Sequence, residues 1–141
     1  MIDDLVDELK ADEGWVPFAY QDHLGFWTIG HGFLIDQRKN GHIPEHIAEE
    51  WLRYAANEKW QRLATHHPWL LDQPEKIQRA VANMAYNLGV MGVLKFKKML
   101  AALEAGDREL AAKEALDSRW AEQVPNRAKR VTDMIRGDGN A

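Results

Sequence analysis

The hydrophobic period of this chain changes once, and early. Ile2, Leu5, Val6 and Leu9 recur at helical spacing up to Gly14, which is the kind of residue that ends a helix. From Phe18 to Ile29 apolar residues alternate with smaller or polar ones around the turn signal Asp22-His23-Leu24-Gly25. Beyond Pro44 the helical period returns and stays. An early hairpin followed by a run of helices predicts an α+β fold. The 141 residues show no internal repeat, linker or low-complexity tract, so one domain with a sizeable core is expected. Its β-rich lobe should cover about 14–43 and a connecting helix about 44–66. A helical lobe should follow over about 69–136, joined by the helix at 3–13.

Pro44 opens the long helix, with Ile47, Trp51, Tyr54 and Ala55 on one side, and Pro68 stops it. Ile77, Val81, Met84 and Leu88 mark another that ends at Gly89. Further helices are expected around Leu94–Leu103, Glu109–Leu116 and Pro125–Ile135. Trp51, Trp60 and Trp120 are expected to pack between helices, and Trp27 to face away from Thr28.

Chemistry concentrates at the change of period. Asp3 is placed to cap the first helix and Glu13 closes it, one turn after Leu9 and so on the apolar stripe. A helix C-terminus and partial burial both favour the protonated carboxyl that a general acid needs. Asp22 lies at the hairpin turn and Thr28 on the returning strand, which would form one wall of a cleft with Glu13 at its base. Cleaving an acetal requires one carboxyl group to protonate the leaving oxygen and another group to manage water or positive charge on the opposite face. Alone, Asp22 reads as a turn aspartate and Thr28 as a strand threonine. With Glu13 they form a glycosidase pattern.

The blocks Glu13-Gly14, Tyr20, Asp22, Gly25 and Thr28-Ile29-Gly30-His31-Gly32 resemble the T-even bacteriophage lysozyme group, glycoside hydrolase family 24. Two further stretches are similar to that family: Ser118-Arg119-Trp120 with Gln123 to Val131, and the weaker Asn83-Met84-Ala85-Tyr86-Asn87-Leu88-Gly89. The resemblance implies a lysozyme-like fold and a muramidase cutting the β-1,4 bond between N-acetylmuramic acid and N-acetylglucosamine, with inversion. Catalysis would fall to Glu13, Asp22 and Thr28, supported by Gly30 and by Arg127, whose counterpart in the family lies beside the glutamate. Two departures stand out. Phe33 occupies a position where the family commonly has histidine, and Asp36 to His42 is a shorter connection than in the T-even phage enzyme.

Other residues leave alternatives open. Asn87 offers a donor and an acceptor to a sugar hydroxyl or acetamido group, or a cap to the helix ending near Gly89. Tyr20 and Phe26 either line the substrate site or serve the core. Lys129 and Arg130 read as a solvated face. His31 reads as structural, and His66-His67 point apart on a helix without a completing ligand, so no metal is expected. The glycines around His31 lack a third at dinucleotide spacing, and no cofactor is expected.

A formal net charge of −4 and the lack of a docking motif argue against nucleic acid as a partner. A catalytically weak peptidoglycan-recognition or particle-assembly domain is a rival disfavoured by the intact Glu13, Asp22 and Thr28. The absence of cysteine excludes disulfides and thiolate metal sites. Met1-Ile2-Asp3-Asp4 is acidic where a secretory signal is basic, and no apolar run is long enough to span a membrane. The resemblance then implies a monomer made in a bacterial host cytoplasm, acting on periplasmic peptidoglycan after release by a separate factor or by particle delivery.

Overall fold

A computed structural model describes residues 1–137, which form two compact units, Met1–Glu50 and the chain from Trp51 onward. The first contains helix α1 (Ile2–Glu13), strands β1 (Val16–Gln21), β2 (Trp27–Gly30) and β3 (Phe33–Leu34), and the start of α2 (Glu45–His66). The second carries the rest of α2, then α3 (Glu75–Leu88), α4 (Val90–Leu94), α5 (Lys97–Glu104), α6 (Arg108–Leu116), α7 (Arg119–Gln123) and α8 (Pro125–Arg136). The fold is α+β, as the change of period predicts. Grouped by contacts, α1 falls with the strands, and the division between units lies inside α2.

The strands form one antiparallel sheet in the order β1-β2-β3. Tyr20 pairs with Thr28 and Gln21 with Trp27, while Val16 pairs with Gly30 across an irregularity that shifts the register. The alternation on β2 is as expected: Trp27 is exposed and Thr28 buried. Thr28, Gly30 and Asp36 are the only buried residues of Met1–Glu50, so this unit has no buried apolar core. Hydrogen bonds must supply the order that packing supplies elsewhere.

Two expectations for α1 are corrected. Its N-cap is Met1 rather than Asp3, which lies in the first turn, and the cap makes no side-chain hydrogen bond. No residue of α1 is buried: Leu5, Val6 and Leu9 remain 38%, 40% and 45% exposed. Three short strands, one of two residues, offer too little surface to cover a helix face.

The helical unit holds the core. Leu63, Leu70, Ile77, Val81, Met84, Val93, Met99, Leu103, Val131 and Ile135 are essentially inaccessible, and Ala111, Ala112 and Ala115 let α6 lie close against α5 and α8. The α8 stripe of Ala128, Val131 and Ile135 is buried, as its spacing predicts. Trp120 is buried and Trp60 packs against the core, but Trp51 is 55% exposed, contrary to expectation. On α2, only Leu63 is buried. The helix expected around Leu94–Leu103 is α5, which starts three residues later at Lys97, and the short α4 before it, separated at Lys95-Phe96, is additional. The five-residue α7, capped by Ser118 Oγ accepting from Ala121 N–H (3.2 Å), was not expected.

Candidate active site

Glu13 is the last residue of α1, and Gly14 closes the helix with its N–H donating to the Lys10 carbonyl at 3.0 Å. Gly14 has a positive φ of 74° with extended ψ, so it turns the chain toward β1 without continuing a left-handed coil. Glu13 is exposed, and the burial expected for it is absent. Its position is set differently. A Cβ built on Gly32 would collide with Glu13 Oε2 and come within 2.8 Å of its carboxyl carbon. Only a glycine at position 32, with φ of 76°, leaves room for the carboxyl group where it lies.

His31 fixes the same junction from the side. Its Nδ1 donates to the Gly14 carbonyl at 2.7 Å, and its ring lies 5.3 Å from that of Trp15, tilted by 37°. The structural role read for His31 is thus a specific one, joining the end of α1 to the turn between β2 and β3. Gly30 also needs to be glycine: its φ is 73°, and the Phe33 ring would stand 3.0 Å from an added Cβ. Phe33 itself is exposed.

Asp22 is half-buried and organises the hairpin turn. Its Oδ1 accepts from the N–H groups of Leu24 and Phe26, both at 2.9 Å, and its own N–H donates to the Phe26 carbonyl at 2.8 Å. The Thr28 hydroxyl donates to that same carbonyl at 3.1 Å. Asp22, Phe26 and Thr28 are therefore linked through one backbone oxygen, and Tyr20 faces Thr28 in register. Asp22 Oδ2 accepts no hydrogen bond from the described residues. The Phe26 ring carries Arg38 and Lys39 at 5.0 and 4.9 Å from its centroid.

Asp36, which the sequence did not single out, is a heavily hydrogen-bonded carboxylate. It is buried and accepts from Trp27 N–H (3.1 Å), Arg38 N–H (2.9 Å), Arg38 Nε (2.9 Å) and Arg38 Nη2 (2.6 Å). The hydrogen-bonded Arg38 guanidinium, helped by the two backbone N–H groups and opposed by burial, holds its carboxyl well below the usual carboxylate range. Asp36 raises Arg38 in turn.

Asn87 and Arg127 belong to the helical unit and have partners there. The Trp120 indole N–H donates to Asn87 Oδ1 at 2.8 Å, while the cap on α3 is the Gly89 N–H donating to the Ala85 carbonyl at 2.8 Å. The capping role offered for Asn87 is thus taken by Gly89. Arg127 donates from Nε to Asn83 Oδ1 at 2.9 Å and from Nη2 to the Asn83 carbonyl at 3.5 Å. Among the described residues no group of three His, Cys, Asp or Glu side chains is placed to hold a metal ion.

Residues 10–136 match the family model for phage lysozyme. The chain belongs to the phage lysozyme family. It is 32% identical to probable T4-type lysozyme 1 of Dictyostelium discoideum, covering 96% of this chain and 95% of that protein. Probable T4-type lysozyme 2 of the same organism is also 32% identical, with the same coverage. The pre-baseplate central spike protein Gp5 of Enterobacteria phage T4 is 52% identical across 93% of this chain, which spans only 27% of that protein. As a phage lysozyme family member this chain is a glycoside hydrolase. The matched stretch takes in the end of α1, the whole sheet and α8. Among the described residues, no helix is long and apolar enough to cross a membrane.

Proposed function

We propose that this lysozyme is a peptidoglycan muramidase that cuts the β-1,4 bond between N-acetylmuramic acid and N-acetylglucosamine with inversion. Glu13 donates its proton to the glycosidic oxygen as the bond breaks. Asp22 Oδ2, uncommitted to the turn, accepts a proton from the attacking water. The Thr28 hydroxyl spends its hydrogen on the Phe26 carbonyl, leaving its oxygen lone pairs to accept from that water. One proton is given and one is taken, so the enzyme ends each turnover needing only a proton transfer between the two carboxyl groups through solvent. Tyr20 and Phe26 contact the sugar.

The observation that carries this reading is the way Met1–Glu50 immobilises its polar groups: Asp22 and Thr28 share the Phe26 carbonyl, and Glu13 rests in the space that Gly32 leaves open. Clearing of a suspension of outer-membrane-permeabilised Gram-negative cells tests the substrate. NMR of the freshly formed reducing end tests the stereochemistry: an inverted anomer is expected, whereas retention with a trapped glycosyl-enzyme would make Asp22 the nucleophile.

The protein acts as a monomer on periplasmic peptidoglycan and leads to cell lysis, reaching its substrate through a separate release factor. The 52% identity to a phage spike protein favours a second route, carriage within a virus particle. Immunodetection in washed particles against the particle-free lysate separates the two.

A further inference from the structure

We propose that Asp36 and Arg38 are positioning residues that hold the Asp22 turn in its working shape; this rests on the role given to Asp22 above. A carboxylate removed from water must have its acceptor sites filled, and a carboxylate offers about four. Asp36 receives four donors, three of them from Arg38 and one from the Trp27 N–H at the start of β2. The Arg38 guanidinium then reaches further: Nη2 also donates to the Gly25 carbonyl at 3.1 Å, and its central carbon stands over the Phe26 ring, 5.0 Å from the centroid. Gly25 is the residue whose N–H closes the turn on the Asp22 carbonyl at 2.9 Å. The pair therefore grips the turn at Gly25 and its exit at Trp27, while Asp22 Oδ1 grips it from within at Leu24 and Phe26.

Two features show why a clamp is needed and how it is held. Met1–Glu50 has no buried apolar side chain, so no packed core restrains the turn. The clamp is itself anchored by backbone: the Gly41 N–H donates to the Asp36 carbonyl at 3.1 Å, and a Cβ at Gly41 would fall 2.6 Å from the Ile35 carbonyl carbon. Arginine suits this place because its planar fork bonds a carboxylate and a carbonyl together, which a single ammonium point charge does not reproduce.

The test uses the full chain with Arg38→Ala, Arg38→Lys and Asp36→Asn, scored as kcat and KM per folded molecule on purified peptidoglycan, with amide hydrogen exchange at Leu24 and Phe26. We expect kcat to fall by about tenfold to a hundredfold, the scale set by misplacing a reacting group by about 1 Å. KM should stay within about twofold. Lysine should not rescue, and the Leu24 and Phe26 amides should lose protection while α3 and α8 keep theirs. Added to Asp22→Asn, Arg38→Ala should cause no further loss. Unchanged kcat with only a lowered melting temperature, or losses that multiply in the double variant, would overturn the proposal. Asp22→Asn at full turnover would instead sink the role of Asp22, and this inference with it; an impaired Asp22→Asn beside a fully active Arg38→Ala would sink this inference alone. Where Arg38→Ala does not fold, Arg38→Lys and Asp36→Asn give the same reading.

Discussion

Gly32→Ala separates the placement of Glu13 from its presence. The added methyl group would overlap Glu13 Oε2 and stand 2.8 Å from the carboxyl carbon and 3.2 Å from Cγ, where ordinary contact begins at 3.4 Å. The carboxyl carbon must therefore retreat by about 0.6 Å, and Oε2 further. Glu13 is exposed, so the retreat itself costs little stability. The main stability cost is the positive φ of 76°, about 1–2 kcal/mol for an L-residue in the left-handed region. At about 2–4 °C per kcal/mol for a chain near this size, melting should fall by about 2–8 °C. Activity should suffer more, because displacing a reacting group by about 1 Å costs about a hundredfold. We expect kcat on purified peptidoglycan to drop by about tenfold to a hundredfold with KM nearly unchanged. Wild-type kcat in a folded Gly32→Ala protein would refute the idea that Gly32 sets the position of the acid.

The lowered carboxyl of Asp36 gives its interactions a defined pH range: their contribution is fully present above the unfolded value of about 3.9 and is lost as pH falls through the folded value. Chemical denaturation of wild type and Asp36→Asn should therefore show a constant stability gap at neutral pH that narrows below about pH 4, and a gap that widens on acidification would contradict this. Gly41→Ala places a methyl group 2.6 Å from the Ile35 carbonyl carbon and should cost about 1–3 kcal/mol in the same assay. Asn87→Leu removes the acceptor of the buried Trp120 indole and should cost about 1–3 kcal/mol, read from thermal melting; an unchanged melting temperature would mean that water replaces the amide.

What could be read from the sequence follows the range of the forces involved. The hairpin was legible because Asp22 to Gly25 form a turn by local bonds, α3 because its apolar period ends at Gly89, and α8 because Ala128, Val131 and Ile135 follow Pro125 at helical spacing. The five-residue α4 was not, since Val90–Leu94 is too short for a period to show. Helix α7 is only five residues, too short for a period to show. The stripe on α1 is real as a pattern, but periodicity does not say that a covering surface exists. At the site, Glu13, Asp22 and Thr28 were named from spacing and from family resemblance. Asp36 escaped notice because its partner Trp27, and the Gly25 carbonyl that Arg38 reaches, come from the hairpin nine and thirteen residues back, and the only local sign was an aspartate two residues before an arginine in a glycine-ended loop. The Asn87 bond to Trp120 spans 33 residues and left no signal at all.

Glu13→Gln tests the central claim most directly, because the amide fills the same space on Gly32 but has no proton to give the leaving oxygen. Release of reducing ends from purified peptidoglycan should fall by about two to four orders of magnitude, with melting temperature and substrate binding preserved. Turnover within about twofold of wild type would show that Glu13 is not the acid.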